Sequence, residues 1–269
     1  MDKRLQSLHD WAENNAKHCI FPFWCSDFIR DKENGGFYSR VTLDMQRDNT
    51  EPRGLTLAGR MVYAFSTAYR VFGGDIYAES ARYAYADLKQ RFYDPEYGGA
   101  FTSVSAKGEV LSDGKPLYCE AFWIMGCAAY GRAFGDEAAL DLAMECAEKI
   151  ESLGKWAPAS YYNNMNRDWS SAEGMGLGKG HDLYFPEGAV MFPHHLCQAY
   201  VQLYRARPDP RIRESLRQMM QFILTRLYDP QYHCFKTIVA ADDSRVGTRQ
   251  SFGHDCEIAY LAMTVAQLV

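Results

Sequence analysis

His254 and Glu257 stand one helical turn apart in Gly253-His254-Asp255-Cys256-Glu257, and His195 and Gln198 repeat that i, i+3 spacing in His194-His195-Leu196-Cys197-Gln198. Residues three apart on a helix share a face, so each pair would present its polar groups to one side. Arg60 interrupts the apolar run Leu55–Phe65, and Glu120 opens another apolar stretch. An imidazole gains and loses a proton near neutral pH, and a guanidinium offers forked donors to an oxygen that is acquiring charge. Two carboxylates can divide acid and base work between them. Gathered round one cavity, these groups do acid–base chemistry. Scattered, they are surface pairs, helix caps and structural ion pairs, and a buried arginine demands a partner in any case.

Their positioning depends on a repeated hairpin. Leu57, Met61, Ala64, Phe65, Ala68 and Phe72 follow helical spacing, and Phe72-Gly73-Gly74-Asp75 stops that helix and caps the next, Ile76–Phe92. Phe134-Gly135-Asp136-Glu137 does the same between Tyr118–Phe134 and Ala138–Leu153, and Arg207-Pro208-Asp209-Pro210 between Leu196–Ala206 and Arg211–Tyr228. With an opening helix near Leu5–Arg30 and a last run from Phe252, eight helices are expected. Between hairpins, 36–43, 99–104 and 235–239 alternate as short strands beside turns. A longer repeat overlies this: Tyr93-Asp94-Pro95-Glu96-Tyr97 recurs as Tyr228-Asp229-Pro230-Gln231-Tyr232, 135 residues on, and Cys119-Glu120 as Cys256-Glu257, 137 on. Helical hairpins joined by ribbons at one end predict an all-α protein, an α/α toroid forming a single domain over 1–269. First helices would line the inside, second helices the outside, with ribbons crowding one mouth.

Composition narrows the partners. The 269 residues carry 34 acidic and 29 basic side chains, a net charge of −5, with no basic block to meet nucleic acid or an anionic membrane. The longest apolar run, Ala121–Tyr130, is about half of what a bilayer crossing requires. No signal core follows Met1, so a cytoplasmic location is expected. Eight dispersed cysteines without a Cys-x-x-Cys pair read as reduced, buried small hydrophobes.

Five motifs in order carry a resemblance: Gly35-Gly36-Phe37-Tyr38, Leu57-Ala58-Gly59-Arg60, Asp94-Pro95-Glu96-Tyr97-Gly98-Gly99, Arg167-Asp168-Trp169 and Gly253-His254-Asp255-Cys256-Glu257. Together they resemble the N-acylglucosamine 2-epimerase superfamily, particularly its cellobiose 2-epimerases and aldose–ketose isomerases. The resemblance implies an (α/α)6 barrel, a sugar in its central funnel, no cofactor, and proton transfer at the carbon beside the carbonyl. It implies that His254 and His195 stand near the reacting carbons, that Glu257 orients or assists His254, and that Arg60 polarises the sugar oxygens. Tyr38 and Trp169 would supply sugar-contacting aromatic surfaces; Glu120 is a substrate-binding candidate from its place at the start of an inner helix, with helix-cap or core hydrogen bonding as its other reading. About eight of the twelve helices of such a barrel are accounted for, which implies a C-terminally truncated ring without the histidine that relatives pair with the equivalent of His254. An open edge of this kind predicts self-association through exposed apolar faces.

Other readings stay beside this one: a non-catalytic carbohydrate-binding or assembly protein, and a glycoside hydrolase using Glu120 and Glu257. Among the remaining candidates, Trp11, Trp24, Trp123 and Trp156 read as core or rim, and His9, His18 and His233 as exposed or structural. The Gly-rich 170–188 stretch with His181-Asp182 reads as a connecting loop, and Gly174–Gly178 lacks the strand a dinucleotide fingerprint requires. No metal is expected, because no cluster occurs at ligand spacing along the chain.

Overall fold

A computed structural model describes residues 2–170, 190–191, 194–236, 238–240, 242–247 and 250–269. Helix α1 (Lys3–Asn15) starts at Asp2, whose carboxylate accepts the Arg4 N–H, and runs through a π-helical turn, Ala16–Ile20, into α2 (Phe21–Trp24). Three hairpins follow: α3 (Leu55–Phe72) with α4 (Asp75–Phe92), α5 (Leu117–Phe134) with α6 (Glu137–Lys149), and α7 (His194–Ala206) with α8 (Pro210–Phe222). Helix α9 (Phe252–Leu268) closes the series, capped by Ser251, whose hydroxyl accepts the His254 N–H. With α1 and α2 taken as one segment, the described residues hold the eight helical segments that periodicity predicts. The turns work as their residues suggest. Gly73 and Gly74 both take positive φ, which side chains with a Cβ resist, and Asp136 and Asp209 cap the helices that follow them. Helices α6 and α8 end earlier than periodicity suggests, because each passes into a π-helical turn, Ile150–Gly154 and Ile223–Leu227.

Helices α3, α5, α7 and α9 pack side by side in sequence order, and α4, α6 and α8 each cover their own partner, giving the two layers of an α/α toroid. Helix α5 touches α3, α6 and α7, which explains why its sequence is apolar all round and why Ala121–Gly131 is buried without a break. The α3–α5 crossing is tight: Gly59 on α3 lies against the Phe122 backbone of α5, and Gly126 on α5 lies against Gly59.

The loops at the helix N-termini form small antiparallel ribbons. Arg40–Val41 pairs with Arg47–Asp48, Ser103–Val104 with both Arg53–Gly54 and Val110–Ser112, Lys115–Pro116 with Asn164–Met165, and Tyr228–Asp229 with Cys234–Phe235. An aspartate organises three of these loops in the same way. Asp31 Oδ1 accepts the N–H groups of Glu33 and Asn34, Asp94 Oδ1 those of Glu96 and Tyr97, and Asp229 Oδ1 those of Gln231 and Tyr232. The other oxygen then takes a cation from the segment leading into an inner helix: Arg53 at 2.6 Å, Lys115 at 3.0 Å and Arg245 at 3.4 Å. The repeat visible as two copies in the sequence therefore has a third, at Asp31, and its physical content is a clamp on the entry to α3, α5 and α9.

Candidate active site

The first turn of α7 and the first turn of α9 meet at the mouth. The Glu257 carboxylate lies between two imidazoles, 4.0 Å from His194 Nε2 and 3.9 Å from His195 Nδ1. The His194 ring is 3.9 Å from the His195 ring and 4.6 Å from the His254 ring, centroid to centroid. His254 and Glu257 share a face of α9 as their spacing requires, and His195 and Gln198 share a face of α7 in the same way. Both histidines of the His194-His195 pair belong to the cluster.

Arg60 reaches the same place from α3. Its guanidinium carbon sits 4.5 Å above the Phe122 ring centroid, and Phe122 in turn lies 5.1 Å from the His195 ring, with Tyr118 edge-on at 4.9 Å. Arg60, Phe122, His195, His194 and His254 thus form one continuous strip across four inner helices. Arg60 is exposed rather than buried. Tyr38 lies one turn further toward the α3 N-terminus, lining a cleft with Arg53, Leu57 and Ala58, and its ring faces the Arg47 guanidinium at 5.3 Å.

Two expected substrate-binding residues are placed elsewhere, and both assignments need correction. Trp169 is 2% exposed, its Nε1–H donates to the Tyr97 carbonyl at 3.1 Å, and its ring packs against Gly99, leaving no face for a sugar. Glu120 is fully buried and accepts the Ala100 N–H at 3.2 Å and the Cys146 S–H at 3.2 Å. It anchors a ribbon to α5. A sealed carboxylate cannot serve as one half of an acid–base pair with Glu257, so the hydrolase pairing loses one of its two groups. The motif around Trp169 instead serves Asp94, which accepts from Arg167 Nε at 3.0 Å and from buried Lys115.

Electrostatics follow burial. Desolvation, then the neighbouring His194, Arg60 and His254, pushes His195 down to about 3, so its imidazole is uncharged at neutral pH. Desolvation raises Glu120 to about 7, against the pull of Lys115. Burial would raise Asp94 as well, but hydrogen bonds from Arg167 and Lys115 outweigh it and hold the group at about 2.

Sequence spacing missed one grouping altogether. Ligand atoms of His194, His254 and Glu257 all lie within 4.8 Å of one another, a constellation of metal-ligand type. The expectation of no such cluster is corrected, and its reason is plain: one ligand comes from a helix sixty residues away, so no local motif records it. The cysteine reading is corrected in part: all eight are free, but Cys19 and Cys256 are exposed. Trp123 is core, whereas Trp11 and Trp156 are exposed. A groove of about 500 Å³ between α6 and α8, lined by Glu148, Glu151, Arg211 and Ser215, contains none of the expected site residues. His181, Asp182 and Gly174–Gly178 lie outside the described residues, as does Pro193.

An α/α toroid with a histidine cluster and a guanidinium at its ribbon-bearing mouth is the class of protein that fold and site define. The chain belongs to the N-acylglucosamine 2-epimerase family, whose profile matches residues 35–266. Cellobiose 2-epimerase of Ruminococcus albus is 31% identical over 245 residues, covering 90% of this chain and 61% of that protein. The structure of cellobiose 2-epimerase from Bacillus thermoamylovorans superposes with a TM-score of 0.86 at 26% identity, over 98% of this chain and 67% of that one. A D-mannose isomerase structure, at 17% identity and a TM-score of 0.72 over 91% of this chain and 61% of its own, shares the fold. The chain spans about 61% of the length of the curated relatives it matches.

Proposed function

We propose that this chain carries a proton-transfer site for the C2 position of an aldose, as in a carbohydrate 2-epimerase or aldose–ketose isomerase. The supporting observation is the strip itself: imidazoles from α7 and α9 and a guanidinium from α3 at one mouth, in a member of this family. The C2–H of an open-chain aldose is acidified by the carbonyl, and His254 takes that proton on its free ring nitrogen. The electron pair of the broken C–H bond becomes the C1–C2 double bond, and negative charge moves to O1. Arg60 meets charge that exists only at this stage, which lowers the barrier rather than merely tightening binding. Glu257 holds the neighbouring imidazoles in orientation, and the uncharged His195 serves as a hydrogen-bonding partner for a sugar hydroxyl. Return of a proton to the other face of C2, from a second acid or after the intermediate turns, gives the epimer; return to C1, with the O2 hydroxyl proton passing to O1 as C2=O forms, gives the ketose. Tyr38 lines the approach to the same mouth.

The test is NMR of mannose, glucose, N-acetylglucosamine and cellobiose in D2O with the chain present. Loss of the C2 proton signal, abolished by His254→Ala, supports the assignment. Saturable sugar binding with no exchange for any of the four sugars overturns it in favour of a carbohydrate-binding role. The substrate is a small sugar of the cytoplasm on this reading. The same proposal includes self-association through apolar faces, supported by the exposed Leu5, Leu8 and Trp11 on α1 and Phe252, Tyr260 and Met263 on α9. No helix among the described residues is long and apolar enough to cross a membrane.

A further inference from the structure

We infer that His194, His254 and Glu257 form a Zn²⁺ site that competes with the sugar for the mouth of the toroid. The three side chains offer two imidazole nitrogens and one carboxylate oxygen, the donor set that zinc and its neighbours prefer. All three ligand atoms fall within 4.8 Å of one another, with His194 Nε2 and Glu257 Oε2 4.0 Å apart. A tetrahedral zinc with bonds of about 2.1 Å holds its ligand atoms roughly 3.4 Å apart, so side-chain rotations of about 1 Å complete the geometry. The backbone already supplies the hard part. His254 and Glu257 share a face of α9, whose packing against α7 sets the distance to His194.

The side chains of His194 and Glu257 are 12% and 29% exposed, enough for a hydrated ion to enter and little enough to favour dehydration. Three protein ligands leave a fourth position open, as in zinc sites that hold water. A third imidazole, His195, stands 3.9 Å from the other Glu257 oxygen, where it can orient that carboxylate. The consequence rests on the proposed function: an ion on His254 occupies the ring nitrogen that would take the C2 proton, so metal and proton transfer exclude each other.

Binding is read directly, by calorimetric titration of ZnCl2 into chelator-treated protein, and does not depend on turnover. One ion per chain at roughly micromolar affinity or tighter is expected. His254→Ala and Glu257→Gln should each weaken binding more than about 100-fold, beyond what loss of a supporting partner costs. Two variants are used so that one which fails to fold, by circular dichroism, leaves the other to decide. Exposed thiols are the competing donors, so Cys19→Ser and Cys256→Ser must leave the affinity unchanged. Co²⁺ bound in place of Zn²⁺ should lack a thiolate-to-cobalt charge-transfer band. Absence of binding at about 100 µM Zn²⁺, loss of the site in Cys256→Ser, or full affinity in a folded Glu257→Gln chain overturns the inference. The two readings separate cleanly. Zinc bound to a chain with no C2 exchange removes the proposed function and keeps the site, whereas exchange that is indifferent to zinc removes the site alone.

Discussion

Gly59→Ala should damage stability and site together, because Gly59 lies where α3 crosses α5. A Cβ built on Gly59 would stand 2.7 Å from the Phe122 carbonyl carbon, closer still to its oxygen, and 3.0 Å from Phe122 Cβ. Carbon atoms in good contact sit at about 3.5–4.0 Å, so the helices must separate by roughly 1 Å. The obstacle is backbone, held by its own helix, and cannot swing away as a side-chain end would. A Cβ built on Gly126 of the opposite helix would in turn stand 3.1 Å from the Gly59 carbonyl oxygen, so sliding along the crossing gives no relief. Overpacking of this kind costs about 1–3 kcal/mol, and a rigid backbone obstacle places it at the upper end. For a chain of this size that corresponds to a fall in Tm of roughly 6–12 °C. Phe122 carries both Arg60 and His195 on its ring, so the displacement also widens the gap between guanidinium and imidazole. Thermal melts of wild type, Gly59→Ala and a control, Gly114→Ala, whose Cβ would meet nothing nearer than 3.6 Å, make the measurement. A Gly59→Ala protein within about 0.5 kcal/mol of wild type would refute the close-crossing account.

Further outcomes can be checked on the same protein. Glu120 is raised from 4.5 to about 7, so its contribution to stability is complete below pH 4.5 and fades as pH rises through 7, a change of about 3 kcal/mol. Urea unfolding at pH 5 and pH 8 should show that slope in wild type and a much smaller one in Glu120→Gln. His195 is lowered from 6.5 to about 3, so its contribution is complete above pH 6.5 and falls by about 1.4 kcal/mol per pH unit below it. The same titration on His195→Gln should flatten the acid limb, and an unchanged limb contradicts burial of a neutral imidazole. Trp169→Phe removes the hydrogen bond to Tyr97 and should cost about 1 kcal/mol while leaving sugar affinity as it was. Light scattering should show association of the wild-type chain that Trp11→Glu or Met263→Glu reduces, and a monomer in all three rejects the apolar contact.

The hairpins were legible because each depends on local chemistry. Helical spacing marks α3 and α5, and Gly73-Gly74 and Asp136 stop or cap helices by mechanisms that act within a few residues. Helix ends were less legible where a π-helical turn continues the hydrogen bonding without the usual stop signal, as at Ile150–Gly154. His254, Glu257, His195 and Arg60 stood out as polar groups in apolar runs, and the structure brings all four to one mouth. Trp169 and Glu120 were misplaced for a common reason. Polarity or aromaticity at a ribbon or helix start has the same appearance whether the side chain faces the funnel or closes the layer beneath it. Only the tertiary partners, Tyr97 for one and Ala100 with Cys146 for the other, decide between the two. The Asp31, Asp94 and Asp229 clamps were half visible, since Tyr-Asp-Pro repeats in two of them but Arg30-Asp31-Lys32 disguises the third.

Helix α9 has a different standing from its neighbours. It is held by α7, α8 and the Cys234–Phe235 strand, with Phe252, Tyr260 and Met263 facing outward, and yet it brings His254 and Glu257. The other half, His194 and His195, rides on α7, so half of the cluster depends on this one segment. Anything that bridges α7 and α9, whether sugar or ion, fastens that segment down. Occupancy should then be readable as slowed amide exchange along 252–268, far beyond the atoms the bound species touches.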